Sequence, residues 1–205
     1  MTLVGKMYNH LKTVYKHRKY VRQYCYMAKL YWQGLTHDLS KYSPVELFES
    51  IKYYQGTRSP IDACKEANEY SKAWLHHRGR NKHHREYWTD YYDAGLKNIK
   101  MPYKYATEML CDFLGAGEAY NKNFTYYSEY QWWKKQLEKG ISIHPATANY
   151  ILLVLKELSA CKNEAQVRGI FNNLPWYYEM SNKTTPYNNI LYQGNSLYFY
   201  KEGEE

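Results

Sequence analysis

Cysteines are few and isolated in this sequence. Cys25, Cys64, Cys111 and Cys161 lie far apart, and no two of them form a CxxC pair. This pattern favours reduced thiols in a cytoplasm over a disulfide framework. The first residues, MTLVGKMYNHLK, turn polar too early for a signal peptide. We therefore expect a cytoplasmic protein.

Long hydrophobic runs and blocks of like charge are also missing. The longest apolar run, YILLVLKEL at 150–158, is interrupted by Lys156 and is far too short to span a bilayer. Lysine and arginine outnumber aspartate and glutamate by 28 to 20, so the formal net charge is +8. This positive field would attract phosphates, nucleic acid or acidic partners. Because the charges are dispersed, a dedicated nucleic-acid surface is not favoured.

The composition is typical of one globular domain with an appended tail. The chain has 205 residues, 44% of them hydrophobic, and contains neither an internal repeat nor a low-complexity tract. It is long enough to bury a sizeable core. The chain has 26 tyrosines, so many of its buried side chains carry a hydroxyl at one end. This favours a polar-lined interior or cleft.

Helical spacing of apolar residues predicts an all-α protein. A first helix is expected from about Thr2 to Trp32, with Gly34 as its stop signal. Ser43 and Pro44 are typical of a helix start, and Glu46 completes a capping-box pattern, so a second helix is expected from Pro44 to about Tyr54. Further helices are predicted over 61–75, continuing to 88 with a bend or break near Gly79, and over 103–120, 128–140, 144–161 and 163–179.

Helical periodicity is lost after Met180. LYQGNSLYFY, at 191–200, has the pattern of a short hairpin around Gly194 and Asn195. We therefore predict a single-domain helical bundle over 1–180 and an irregular or β-hairpin tail over 181–205.

Histidines are concentrated in the first 84 residues, which hold seven of the eight. His10 and His17 are seven residues apart, so they share a helix face with apolar neighbours. The same spacing separates His76 from His83 and His77 from His84, so one of these pairs would face inward and the other solvent; the spacing leaves open which.

Two aspartates accompany these histidines in positions that packing does not require. His37 and Asp38 follow the end of a predicted helix, and Asp112 lies on an apolar helix face, where a carboxylate is costly to bury without a cation. Imidazole and carboxylate groups from several helices form the divalent-metal sites of helical bundles. The candidate ligands are His17, His37, Asp38, Asp112 and one or two of His76, His77, His83 and His84.

The order of these residues resembles the HD superfamily of metal-dependent phosphohydrolases: a histidine on an early helix, then HDLSK at 37–41, then further histidines and a lone aspartate. HDLSKYSP is also similar to the HDIGK…P stretch of the branch that cleaves cyclic dinucleotides. The GYP triplet of that branch is absent, so the resemblance does not extend to its specificity. GLTHDLSKYSPVEL, NKHHREYW and MPYKYATEMLCD more closely resemble an uncharacterised bacterial and phage family, over about residues 5–130.

The superfamily resemblance implies a helical HD-type domain and an enzyme in which metal-activated water attacks a small phosphorylated substrate, preferably a nucleotide. The implied cofactor is a divalent transition metal ion (Mn, Fe, Ni, Zn or Co). His17, His37, Asp38 and Asp112 would hold one ion, with Asp90 and Asp93 as alternatives to Asp112. His77 and His84 would hold a second ion or contact the phosphate.

The surrounding residues give candidates for the other roles. Lys41 is expected to contact the phosphate and to act in catalysis with Asp38, while Glu108, four residues before Asp112, would orient a water or a metal-bound histidine. Glu46 is assigned to the helix cap rather than to catalysis. Arg80, Lys82 and Arg85 are further candidate phosphate ligands, and Tyr42, Trp74, Tyr87 and Trp88 either stack on a base or pack in the core.

Two alternative functions are compatible with the same residues. A binding module could keep the metal or nucleotide site without catalysis, and its metal would then be closed off by protein ligands. A nucleic-acid-associated protein could bind through its tyrosines and positive charge, and its affinity would fall steeply with salt and survive loss of His37.

Overall fold

The computed structural model describes residues 1–56, 58–93, 95–182, 190–193 and 196–199, and this part of the chain is mainly helical. The prediction of an all-α protein is confirmed. The described helices are α1 Leu3–Met27, α2 Tyr31–Thr36, α3 Pro44–Tyr53, α4 Pro60–Asn68, α5 Lys72–Arg80, α6 Tyr103–Tyr120, α7 Tyr126–Glu138, α8 Pro145–Ala160, α9 Glu164–Asn172 and α10 Leu174–Met180. Short 3-10 helices span Leu39–Tyr42 and Arg85–Trp88, and the strands are β1 Thr89–Tyr92, β2 Gly95–Asn98, β3 Ile190–Gln193 and β4 Ser196–Phe199.

Helices with clear start signals begin where the sequence predicts. Pro44 and Pro145 occupy the first positions of α3 and α8, and Pro102 immediately precedes α6. At the start of α8, the Nδ1 atom of His144 accepts a hydrogen bond from the backbone of Ala146. These starts are local, because proline and a capping side chain satisfy helix-terminal geometry without help from the rest of the fold.

The predicted C-terminal end of the first helix is wrong. It stops at Met27, Lys29 adopts a left-handed conformation with φ 61°, and α2 restarts the chain at Tyr31. Gly34 lies inside α2 and is not a stop signal. A Cβ atom at Gly34 would lie 2.9 Å from Cβ of Cys25, so the glycine allows α2 to pack closely on α1.

Three other predicted boundaries are also wrong. The helix predicted over 61–75 is divided at Glu69, where φ is 66°, and α5 continues through Gly79 to Arg80. The segment predicted over 163–179 is two helices, since Pro175 in the first turn of α10 cannot continue the hydrogen bonding of α9.

Two antiparallel hairpins complete the described structure. The hairpin of β1 and β2 lies between the helices predicted to end at 88 and to begin at 103, where no strand was predicted. β3 pairs with β4 in the predicted C-terminal hairpin, and its turn residues, 194 and 195, lie outside the described residues. No described helix is long and apolar enough to cross a membrane.

α1 and α6 each have one apolar and one polar section, and this divides the molecule into two sides. Val21 and Cys25 of α1 and Leu110 and Leu114 of α6 are buried with α7 to α10 in the hydrophobic core. The earlier turns of α1 instead bury histidines, while the remaining face of α6 carries Glu108 and Asp112. The packing of α1 on α6 therefore places polar side chains of both helices on one side of the core.

Gly115 controls how closely these two helices approach, and we expect Gly115→Ala to destabilise the protein by about 2–3 kcal/mol. An added Cβ would lie 2.5 Å from Cγ2 and 2.7 Å from the backbone nitrogen of Val21, so the helices would have to separate. Gly169 is a matched control, because nothing lies within 4 Å of a Cβ there. Gly169→Ala should stabilise α9 by about 0.5–1 kcal/mol. Urea unfolding measures both, and equal effects would contradict the close-contact explanation.

Candidate metal centre

The HD dipeptide is buried at the junction between α2 and the 3-10 helix. His37 ends α2, and Asp38 takes the left-handed conformation with φ 55° and ψ 24°; each residue is only 1% exposed. Arg18 of α1 donates hydrogen bonds to the backbone carbonyls of Leu35 (3.0 Å) and His37 (2.8 Å). α2 ends at Thr36, two residues after the predicted stop at Gly34, and the dipeptide turns inward there. Arg18 fixes the backbone of this turn.

A first group of potential ligands comes from α1, the HD dipeptide and α6. Nε2 of His17 lies 3.1 Å from Oδ1 of Asp112 and 3.5 Å from Oδ2 of Asp38. Nε2 of His37 lies 3.3 Å and 3.6 Å from the same two oxygens. The four residues offer ligand atoms that all lie within 4.8 Å of one another, which is close enough to hold one metal ion.

A second group shares Asp38 with the first. Oδ1 of Asp38, the oxygen not used in the first group, lies 3.2 Å from Nε2 of His77 and 3.5 Å from Nε2 of His83. His84 completes this group, whose ligand atoms also lie within 4.8 Å of one another. Each oxygen of Asp38 thus faces one group of histidines.

Carboxylates hold the opposite nitrogen of several of these histidine rings. Oε1 of Glu108 lies 3.0 Å from Nδ1 of His37 and 3.2 Å from Nδ1 of His83, and Oε2 of Glu46 lies 2.7 Å from Nδ1 of His77. A carboxylate that accepts the Nδ1 proton leaves the Nε2 lone pair directed at the centre, an arrangement common around metal-binding histidines. Each of these three rings is therefore oriented as a metal ligand requires.

The predicted capping role of Glu46 is wrong. Its side chain is buried, and besides His77 it contacts Nδ1 of His76 at 2.6 Å. The side chain of Ser43 makes no capping hydrogen bond. Glu46 pairs with α5 because α3 packs against α5, and this tertiary contact also holds His76 away from the two ligand groups.

Unpartnered polar atoms indicate that the residues suit a bound cation. Oδ1 of Asp38, Nε2 of His83 and Nε2 of His84 are buried and make no hydrogen bond of acceptable geometry, although Nε2 of His77 lies 3.2 Å from Oδ1 of Asp38. Such atoms are rare in folded proteins, because each costs roughly 1–3 kcal/mol. All three belong to the second group, and a cation bound there would give them a partner.

The charges of the cluster also favour a cation. Burial alone would raise the pKa of Asp38, but Lys41 and His37 hold it well below its usual value. Burial alone would lower the pKa of His37, yet Asp38, Asp112 and Glu108 raise it well above its usual value. The carboxylates are thus ionised near neutral pH and stabilise a positive charge among them.

The structure places the alternative ligands left open by the sequence at different distances from the cluster. Asp112 lies in the first group, whereas Asp90 and Asp93 are exposed near the β1–β2 hairpin, and Asp90 accepts a hydrogen bond from the backbone of Tyr91. His83, one of the four histidines left open but not one of the two that the superfamily resemblance implied, lies in the second group with His77 and His84. Because α5 ends at Arg80, helical spacing does not apply beyond it, and His83 and His84 both turn inward.

Of the predicted phosphate ligands, the structure brings Lys41 to the cluster. Its Nζ lies 2.7 Å from Oδ2 of Asp38. Arg85 instead donates to the carbonyl of Ser142 (2.8 Å) and pairs with Glu86. Lys82 lies over the rings of Tyr87 and Tyr105, and Arg80 is exposed. For these three residues a substrate role remains a prediction.

Two aromatic rings pack against histidines of the cluster. The ring of Trp74 lies 5.1 Å from that of His84, and Tyr120, which the sequence did not single out, stacks on His17 at 6.2 Å. Of the other rings singled out, Tyr42 lies beside Arg18, and Tyr87 and Trp88 contact each other.

A pocket of about 460 Å³ opens beside the cluster between α1 and α3. Lys41 and Glu46, which contact residues of the ligand groups, form part of its lining. The pocket thus lies one side chain away from the ligand groups, since Lys41 separates it from Asp38 and Glu46 separates it from His77.

Comparisons with known proteins give a match to a protein family. No curated protein and no solved structure matches the chain. The model of a family described as "Family of unknown function (DUF5662)" matches residues 6–157, a span that contains every residue of both ligand groups. The predicted resemblance to an uncharacterised family is therefore confirmed. The chain belongs to this Family of unknown function (DUF5662).

Proposed function

We propose that this protein is an HD-type metal-dependent phosphohydrolase that acts on a small phosphorylated substrate, preferably a nucleotide. The observation that carries the proposal is Asp38, whose two carboxylate oxygens face two separate groups of histidines. The order His17, then His37 and Asp38, then Asp112 follows the signature of the HD superfamily. Most ligand atoms lie on helices or helix ends, which hold them rigidly.

The two groups define which residues would hold metal. His17, His37, Asp38 and Asp112 would hold one divalent ion, and Asp38, His77, His83 and His84 would hold a second. A transition ion bound there would activate water as a nucleophile and polarise the phosphoryl oxygen.

Residues around these groups have separate tasks in the proposed reaction. Glu108 keeps the Nδ1 protons of His37 and His83 in place, so both rings present Nε2 to the centre. Lys41 supplies a fixed positive charge next to Asp38, where it would neutralise charge that develops on the phosphate. The side chains of Lys41 and Asp112 are 24% and 15% exposed, whereas those of His17, His37 and Asp38 are 4% or less. The phosphate would therefore approach from the side of Lys41 and Asp112.

Metal content and phosphate release test this proposal together. We expect protein purified without a metal-chelating tag to contain at least one equivalent of a transition metal and to release phosphate from a nucleoside phosphate. A chelator should abolish turnover, and restoring the native metal to the stripped protein should recover it.

Two outcomes would contradict the enzyme hypothesis. Protein that stays empty after incubation with manganese, iron, nickel, zinc and cobalt has no site of this kind. Protein that binds metal stoichiometrically but releases no phosphate from nucleoside mono-, di- and triphosphates would instead be a non-catalytic metal-binding module.

A further inference from the structure

The pocket between α1 and α3, here called the α1/α3 pocket, extends from the residues beside the cluster to Gly56 and to residues 58–61. Lys41 and Glu46 line it where it meets the ligand groups, and His10 and Val14 of α1 form one wall. Ser50 and Tyr54 belong to α3 and its end and form another wall. Its volume of about 460 Å³ is within the range of small-molecule sites, which exceeds the needs of a phosphate alone.

All three charged residues of this lining are paired, and Lys41, whose Nζ lies 2.7 Å from Oδ2 of Asp38, is the one that faces the cluster. Glu46 is held by His76 and His77, and Arg58, at the exposed end, pairs with Glu66. Burial and the nearby Lys41 lower the pKa of His10 to about 4, so this ring is neutral at physiological pH. Among the lining residues that the structure describes, Lys41 is the cation beside the ligand groups, where the phosphate of the proposed reaction would lie.

The rest of the lining suits an uncharged ring. The imidazole of His10 and the phenol of Tyr54 meet edge to face at 5.9 Å, and Tyr120 lines the pocket next to Lys41. Val14 and Ile61 add apolar surface. Aromatic side chains of this kind contact planar rings favourably. Additional phosphate groups would find no second cation beside Lys41 among the described lining residues, because Arg58 lies at the exposed end and pairs with Glu66.

We infer that the α1/α3 pocket binds the uncharged, ring-bearing part of a phosphate monoester, with the single phosphate against Lys41. A nucleoside 5′-monophosphate has this chemistry, and a nucleoside triphosphate does not. The inference rests on the proposed function, since it names the substrate class of the same site.

Steady-state kinetics of the metal-loaded protein test the inference. We expect kcat/KM for uridine 5′-monophosphate to exceed that for uridine 5′-triphosphate by about tenfold or more. Tyr54→Ala, which removes a ring, and Ile61→Trp, which fills the pocket, should each raise KM for the monophosphate about tenfold with little change in kcat. Methyl phosphate, which has no ring to place, should be hydrolysed by these variants as by the parent.

Tyr53→Ala is the matched control, because Tyr53 is adjacent in sequence but lines a different surface and bonds to Asn68. It should leave all these constants unchanged. The inference is overturned if the triphosphate is preferred, if the pocket variants affect methyl phosphate equally, or if Tyr53→Ala has the same effect as Tyr54→Ala.

Direct binding separates failure of the inference from failure of the proposed function. Isothermal titration of the same protein with uridine 5′-monophosphate should give binding that Tyr54→Ala weakens and Tyr53→Ala does not. If the protein hydrolyses nothing yet shows this binding pattern, the proposed function fails and the pocket assignment stands. If the parent hydrolyses methyl phosphate but does not bind the monophosphate, the pocket assignment alone fails.

Discussion

Asp38→Asn is expected to remove bound metal from both ligand groups and to lower phosphate release by about a thousandfold or more. Asp38 is the residue common to the two groups, and an amide offers neither the negative charge nor the second anionic oxygen. Losing the ion would remove several kcal/mol of transition-state stabilisation. Asparagine is the sharpest substitution because it tolerates the left-handed backbone at this position, where φ is 55°. A loss of metal and of phosphate release in Asp38→Asn would therefore result from the missing carboxylate and not from backbone strain.

Metal analysis and thermal unfolding measure this effect. Metal at a hundred times its dissociation constant should stabilise the parent by about 2.7 kcal/mol and leave Asp38→Asn unaffected. Asp90→Asn makes the same chemical change on an exposed strand residue, so it should keep both metal and activity. A variant of Asp38 that still binds one equivalent of metal would show that Asp38 is not the shared ligand.

Glu108→Gln is expected to weaken metal binding by about 10- to 100-fold while leaving every direct ligand in place. Glu108 contacts Nδ1 of His37 and of His83, one ring from each group. Burial by itself would raise the pKa of Glu108, but hydrogen bonds from these two rings hold it below its usual value, so the residue is a charged acceptor. A neutral amide accepts two imidazole protons less strongly and orients both rings less well.

Titration with metal separates this positioning effect from loss of a ligand. Turnover of Glu108→Gln should return at excess metal, whereas Asp38→Asn should stay inactive at any concentration. Glu118→Gln is a matched control on the same helix, since Glu118 accepts a hydrogen bond from Tyr24, away from the ligand groups. If Glu108→Gln binds metal like the parent but has lost turnover, Glu108 acts on the reaction and not through the histidines.

Residue types and their local spacing were enough to predict the helical class and several helix starts. Proline at positions 44 and 145 and histidine at 144 act on their own backbone, so those boundaries agree with the structure. Local signals failed where the chain takes left-handed backbone at Lys29 and Glu69, because nothing in the neighbouring sequence requires a helix to end there. Gly34 was misjudged for a related reason: it permits a close contact with another helix, and spacing along one helix does not reveal such contacts.

The candidate site, like the fold, could be predicted from the sequence only in part. Histidine and aspartate in the order His17, His37 and Asp38, and Asp112 were sufficient to predict a metal site, because these side chains have few other reasons to occur together inside a helical bundle. The entry of His83 and the pairing of Glu46 with α5 depended on tertiary structure. The end of α5 at Arg80 determines the direction of the His83 side chain. The packing of α3 on α5 determines which side chains Glu46 contacts. Both are settled by contacts between distant segments, which a single helix period does not encode.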